Sequence, residues 1–475
     1  MSTTGPVPVI TFLGAARTVT GSRFLVDGPR GRVLVDCGLF QGPRELRDRN
    51  WAALPVPASS IDAVVLTHAH VDHCGYLPRL VADGFAGPVV CTPTTAELAG
   101  IVLPDAGHLQ EEEAEFANRA GYSKHHPALP LFTEAQAVAS LRRLAPVAFA
   151  EPVDLGGDMT VVLRPAGHIL GSAVATLHVD GVTVVFSGDL GRGDHPLLVD
   201  PSPVGDADVV VVESTYGDRS HDHPDGRAVL ADAIARTVER GGTVVIPAFA
   251  VDRTEVLLHH LAELRDAGRL PEVPIFVDSP MALAALDVYR DALERGDPDI
   301  RPGRAGSRWS LTPSGVHEAH TVDDSKRVTA RSDPAIVIAA SGMATGGRVL
   351  HHLERRLPDP RSLVLLVGWQ GEGTRGRRLA DGATEVKLLG RYVPVRAEIL
   401  ELPAFSVHAD RDGLLDWVAT AREPDQVLVV HGEASAASAL VAGITERTGW
   451  PAAAPVQGER VRLDRRVVGA APSPR

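Results

Sequence analysis

Thr67-His68-Ala69-His70-Val71-Asp72-His73 sets three imidazoles and a carboxylate within six residues, directly after the apolar run Ala63 to Leu66. A single histidine is commonly a satisfied core or surface residue. Four titratable groups on one loop at a strand end would cost on the order of several kcal/mol to desolvate unless compensated, and a metal ion does this most simply. Histidine with carboxylate suits zinc better than manganese. In a tight loop, residues at i and i+2 can face one cation while those at i+4 and i+5 face another, so two metals fit the spacing. Further ligands are available at Gly167-His168, Gly188-Asp189 and His431-Gly432, the last two following the apolar runs Val182 to Phe186 and Val427 to Val430.

Short Val/Ile-rich runs recur along the chain and read as buried strands. Val209 to Val212, Val244 to Ile246, Ile275 to Val277, Ile336 to Ile338 and Leu363 to Val367 alternate with helical patterns. That alternation implies parallel α/β structure in the middle of the chain. Asp252 to Ala267 is one such helix, with capping-box spacing at Asp252 and Glu255 and a C-terminal stop at Gly268. The first 200 residues read as mixed α+β, with strands at Val7 to Leu13, Ser22 to Val26, Arg32 to Val35, Thr160 to Leu163 and Ala173 to Val179 and only occasional helices. Beyond residue 402 a strand, a helix from about Asp410, another strand and another helix form a piece too small to fold alone. It is expected to complete the first domain, leaving the middle as an insertion. Gly469 to Arg475 reads as a disordered tail.

Composition bounds the function. With 475 residues, 44% of them hydrophobic and 23% charged, two globular domains are expected. A net charge of -13 excludes nucleic-acid binding over the whole surface. From Gly371 to Arg396, however, six basic residues face three acidic ones, a local excess of three. Cys37, Cys74 and Cys91 form no disulfide framework and no C-x-x-C pair, as in a reducing compartment. No signal peptide and no apolar stretch of roughly 20 residues is read, so a cytoplasmic protein without membrane partners is expected.

The run His68 to His73 resembles the signature of the metallo-β-lactamase superfamily, and Asp36, in Leu34-Val35-Asp36-Cys37-Gly38, resembles its first motif. The landmarks Glu213-Ser214-Thr215, Phe405-Ser406-Val407-His408 and His431-Gly432-Glu433 are similar to the three further motifs of the β-CASP nucleases. The resemblance spans Asp36 to Glu433 and implies a four-layered αββα sandwich, residues 1–216 with 403–475, carrying an inserted parallel α/β β-CASP domain at 217–402. It implies two zinc ions per chain. One would be bound by His68, His70, His168 and Asp189, the other by Asp72, His73, Asp189 and His431, with Asp189 bridging and Asp36 supporting the ligand loop.

The implied activity is hydrolysis of RNA phosphodiesters by a hydroxide held between the metals, leaving 5′-phosphate and 3′-hydroxyl ends. His408 would be the general acid and Glu213 would orient it. RNA rather than DNA rests on His431, because β-CASP members acting on DNA characteristically lack that histidine. Single-stranded RNA is the expected partner, endonucleolytic cleavage the expected mode, and a homodimer a candidate assembly. An inserted domain suits a polymer, and Ser279, Ser341, Gly342, Thr374 and Arg375 at expected strand ends are candidate substrate contacts, since such ends commonly bind phosphate. Three other readings stand beside this one: a zinc hydrolase of small esters or thioesters, a DNA nuclease, and a non-catalytic RNA-binding scaffold.

Overall fold

The computed structural model describes residues 7–121, 123, 125–220, 226–307 and 311–463. The tail Gly469 to Arg475 lies outside the described residues.

Two seven-stranded sheets and one six-stranded sheet carry the fold. The first runs in the order Arg460–Arg462, Val9–Phe12, Phe24–Asp27, Arg32–Val35, Ala63–Val65, Val89–Cys91, Leu144–Pro146. The second runs Ala452–Ala453, Gln426–Val429, Val209–Val212, Val182–Phe186, Ala173–Val179, Met159–Pro165, Pro152–Gly156. Alternate side chains of these strands enter different cores, which is why the strands read as unbroken apolar runs. Val33, Val35, Val184, Phe186, Val209 and Val211 fill the space between the sheets. Leu34, Val64 and Val89 pack outward with the helices Leu77–Ala82, Pro93–Ala120 and Glu134–Ser140. Val185, Val210 and Val429 pack with Arg411–Val418 and Ala434–Thr448 on the opposite side. The result is a helix, sheet, sheet, helix sandwich.

The chain leaves the second sheet after Val212 and returns as Gln426–Val429, hydrogen-bonded in parallel beside Val209–Val212. Between these points it builds the third sheet, in the order Val316–Glu318, Ile275–Val277, Ile336–Ala339, Val244–Pro247, Leu363–Leu366, Glu398–Glu401, with every neighbouring pair parallel.

Three local expectations need correction. Pro93–Ala120 is a 28-residue helix, far longer than expected in a region read as short strands with only occasional helices. Thr92 caps its start, Gly121 ends it in the left-handed conformation, and Pro104 lies inside it, where proline normally stops a helix. No strand forms between residue 402 and Asp410; Glu398–Glu401, just before, belongs to the third sheet. The capping box at Asp252 is also absent. Asp252 sits at φ 69, its carboxylate accepting from His195 Nε2 at 3.1 Å and Tyr289 Oη at 2.7 Å, so helix Arg253–Asp266 starts without a side-chain cap.

Glu255, one turn into that helix, is fully buried, and neither carboxylate oxygen makes a well-formed hydrogen bond among the described residues. Burial, with nearby Asp252 adding to it, pushes its carboxyl well above the ordinary glutamate range. A raised folded-state pKa means stability is full below the unfolded value and is lost as pH climbs through the folded one. Urea unfolding of Glu255→Gln against wild type, from pH 4.5 to 8, should show an advantage for the variant that grows with pH. A pH-independent difference would contradict a buried, ionisation-resistant Glu255.

Candidate metal centre

The groups singled out in the sequence converge at one edge of the sandwich because parallel strands end there together. Asp36 follows Arg32–Val35, His68 to His73 follow Ala63–Val65, Asp189 follows Val182–Phe186, Glu213 follows Val209–Val212 and His431 follows Gln426–Val429. His168 is on the loop joining Met159–Pro165 to Ala173–Val179. At Gly38 an added Cβ would lie 1.6 Å from the Asp72 carbonyl oxygen, so only glycine lets that strand end pass beneath the His68 loop.

Two of the resulting groups gather the expected zinc ligands. His68, His70, His168 and Asp189 form the first, Asp72, His73 and His431 the second. In the first, His68 Nε2 and His168 Nε2 lie 3.1 and 3.3 Å from His70 Nδ1, and each lies 3.6 Å from Asp189 Oδ2. Zinc–ligand bonds of about 2.0–2.2 Å in a tetrahedron put ligand atoms about 3.3–3.6 Å apart, so the set fits. In the second, His73 Nε2 is 3.2 Å from His431 Nε2, which is 3.4 Å from Asp72 Oδ2. Asp189 Oδ1 faces this group, 3.3 Å from both His73 Nε2 and His431 Nδ1. It is buried and makes no well-formed hydrogen bond among the described residues.

Outer contacts fix the imidazoles. Asp36, fully buried at φ 57, accepts from the Thr67 N–H at 2.8 Å and from His73 Nδ1 at 2.7 Å. Since a carboxylate only accepts, His73 carries a proton on Nδ1, and the ring is held with Nε2 towards Asp189 and His431. Thr67 Oγ1 lies 3.1 Å from His68 Nδ1, and Thr215 Oγ1 lies 3.2 Å from His431 Nδ1. Neither threonine is marked out by its type; only the tertiary contact reveals them.

Electrostatics divides the two groups. Burial drives His68 and His168 well below the ordinary imidazole value, and His70 to about 4. Neutral imidazole is the form that binds metal. Burial also pulls on His73 and His431, but Asp189, with Asp36 or Asp72, outweighs it and raises both. Burial would raise Asp189, yet His431 and His73 hold it well below the usual carboxylate range. The second group therefore already favours positive charge.

Beside the first group stands His408, whose Nδ1 donates to Glu213 Oε1 at 3.1 Å and whose ring is 4.4 Å from that of His168. Glu213 is fully buried and also accepts from the N–H groups of Leu190 and Thr215. His70, Asp72, Asp189, His408 and His431 line the floor of a cleft of about 3090 Å³ whose far wall comes from the loops of the third sheet.

Ser279, Ser341, Thr374 and Arg375 line that wall, and each also makes hydrogen bonds within the protein. Ser279 and Thr374 cap helices, and Ser341 Oγ accepts from the Thr345 N–H at 3.0 Å. Arg375 donates to the carbonyls of Thr345 and Lys387, both at 2.8 Å. A Cβ at Gly342 would meet the Phe249 ring at 2.7 Å, so its glycine serves close packing.

Such a histidine and carboxylate centre at the edge of an αββα sandwich defines a metal-dependent hydrolase. Residues 17–248 match the family model of the metallo-β-lactamase superfamily, residues 254–379 that of the β-CASP domain, and residues 392–455 that of the Zn-dependent metallo-hydrolase RNA specificity domain. "Ribonuclease TTHA0252" of Thermus thermophilus is 38% identical over 422 residues, 88% of this chain and 92% of the relative. "Transcription termination factor FttA" of Methanosarcina mazei is 32% identical, covering 96% of this chain and 71% of that protein. "RNase J-like protein" of Methanocaldococcus jannaschii is 29% identical over 95% of this chain and 98% of that one. A crystal structure of a protein of unknown function from Enterococcus faecalis V583 shares the fold, with TM-score 0.52, 14% identity and coverage of 96% of this chain and 100% of the other. The chain belongs to the β-CASP family of metallo-β-lactamase hydrolases.

Asp36→Ala would strip the acceptor from three buried donors, the Thr67 N–H, the Thr67 hydroxyl and His73 Nδ1. A stability loss of about 2–5 kcal/mol is expected in urea unfolding. A loss under about 0.5 kcal/mol, the usual limit for a surface change, would show that Asp36 does not hold the loop.

Proposed function

We propose that this protein is a ribonuclease that holds two zinc ions and cleaves single-stranded RNA internally, leaving 5′-phosphate and 3′-hydroxyl ends. The observation that carries the reading is the division of Asp189, with Oδ2 towards His68 and His168 and Oδ1 towards His73 and His431. One ion is assigned to His68, His70, His168 and Asp189, the other to Asp72, His73, Asp189 and His431. Bound there, zinc supplies Lewis acidity, acidifying water and drawing charge from a phosphoryl oxygen.

The chain's own groups do the rest. Asp36 holds His73 in one tautomer, and Thr67 and Thr215 orient His68 and His431. His408 gives a proton from Nε2 to the departing ribose oxygen, while Glu213 fixes the ring through Nδ1. Residues 217–402 act as an inserted domain that closes the far side of the cleft over the strand, with the loops bearing Ser279, Ser341, Gly342, Thr374 and Arg375 nearest the backbone of the RNA. RNA as substrate is supported by the RNA specificity family model over 392–455 and by relatives named as ribonucleases. No helix among the described residues is long and apolar enough to cross a membrane.

End-labelled single-stranded RNA and DNA of matched sequence, followed by analysis of product ends, test the proposal. Wild type should cut RNA at internal positions and spare DNA; turnover of model esters with intact RNA would instead favour a small-ester hydrolase. His408→Ala should slow cleavage about 100-fold or more with zinc content still near two per chain. Unchanged rates would remove His408 from the chemistry. Asp189→Ala should lose zinc and activity together, and retained zinc would contradict a shared carboxylate.

A further inference from the structure

The loop carrying His168 is held from outside the sandwich. Its backbone N–H groups at 168 to 171 each have an acceptor, as buried donors must. His168 and Ile169 donate to Ser172 Oγ at 3.0 and 3.2 Å, within the loop. Leu170 donates to Tyr289 Oη at 2.8 Å and Gly171 to Asp299 Oδ2 at 2.6 Å. Both of these acceptors come from the segment that builds the third sheet: Tyr289 on helix Pro280–Arg295 and Asp299 just after it. The Gly171 carbonyl accepts from the hydroxyls of Thr92 and Thr95 at 2.7 and 2.8 Å, so this peptide is clamped from both sides.

The two acceptors are themselves anchored. Tyr289 is fully buried, and its hydroxyl donates to Asp252 Oδ1 at 2.7 Å. Asp252 Oδ2 accepts from His195 Nε2 at 3.1 Å, and His195 Nδ1 accepts from the N–H groups of Leu197 and Leu198 at 3.2 and 3.0 Å. Asp299 is buried, and its carbonyl accepts from the Val199 N–H at 2.9 Å. Arg301 closes the strap by donating to the carbonyls of His195 and Leu198 at 3.0 and 3.1 Å.

We infer that Tyr289 and Asp299 are positioning residues for His168, so that docking of the inserted segment completes the first metal group. The inference rests on His168 being a zinc ligand but not on RNA being the substrate. Groups that orient a ligand without touching the metal commonly contribute 10–100-fold to affinity. Here they act through the backbone: losing either acceptor leaves a buried N–H two or three residues from His168 unpaired, and the loop must shift to reach another.

The test uses the full-length chain and Zn²⁺ itself, titrated against a chromophoric chelator, with Co²⁺ substituted for visible spectra. Tyr289→Phe and Asp299→Ala should weaken one of the two zincs about tenfold or more, leave the other unchanged, and alter the cobalt spectrum. Asp299→Asn keeps an oxygen acceptor for Gly171 and should stay within about threefold of wild type. Ile275→Val, in the third sheet and without any side-chain hydrogen bond to the loop, should lower the thermal midpoint without changing zinc affinity. Wild-type affinity in folded Tyr289→Phe and Asp299→Ala would overturn the inference, as would equal zinc loss in Ile275→Val. Should Tyr289→Phe fail to fold, the contrast of Asp299→Ala with Asp299→Asn decides alone. No readout involves RNA, so a chain showing this pattern but sparing RNA would sink the ribonuclease proposal and leave this one standing.

Discussion

Everything at this site depends on one carboxylate with two faces. Asp189 is buried, and its two oxygens point at different sets of imidazole nitrogens separated from it by 3.3–3.6 Å. Lone pairs and partial charges so crowded repel unless positive charge lies between them. That demand explains the rest of the arrangement. Parallel strands must end level with one another, their loops must be short, and the imidazoles must be kept from turning away. Asp36, Thr67 and Thr215 meet the last condition for His73, His68 and His431 from beneath the loops.

Much of this was legible in the sequence. The run from His68 to His73 marks a metal loop because no apolar or surface role explains so many titratable groups at a strand end. The Val-rich runs identify buried strands, and those at Arg32–Val35, Ala173–Val179, Val182–Phe186, Val209–Val212 and Ile275–Val277 lie where the pattern puts them. What was not legible has physical causes. Pro104 hides the long helix Pro93–Ala120 because a single proline outweighs the helical signals around it, while Thr92, Gly121 and packing against Glu134–Ser140 hold the helix together. Asp252 resembles a cap until Tyr289 and His195 claim its carboxylate. Arg460–Arg462 carries no strand pattern, yet it pairs with Val9–Phe12 and extends the first sheet at its edge.

The candidate substrate contacts teach a related lesson. Hydroxyl and guanidinium groups at strand ends look free in a sequence, but a strand end is also where a helix begins and needs a cap. Ser279 and Thr374 meet that need, and Arg375 pins one loop to another. The basic excess between Gly371 and Arg396 is reduced in the same way, since Arg391 pairs at 3.7 Å with Glu354, which lies outside that segment. Conversely, the segment after helix Pro280–Arg295 supplies Asp299 and Arg301 to the strap over the His168 loop. The inserted segment thus reaches the centre through backbone hydrogen bonds as well as through the cleft it walls.

The central claim is that two cations share Asp189. Anomalous diffraction at the zinc edge from crystals of the purified protein tests it most directly. The account predicts two peaks about 3.5–4 Å apart, one among His68, His70 and His168 and one among Asp72, His73 and His431, with an oxygen of Asp189 towards each. A single peak, or density for zinc only at other positions, would contradict it.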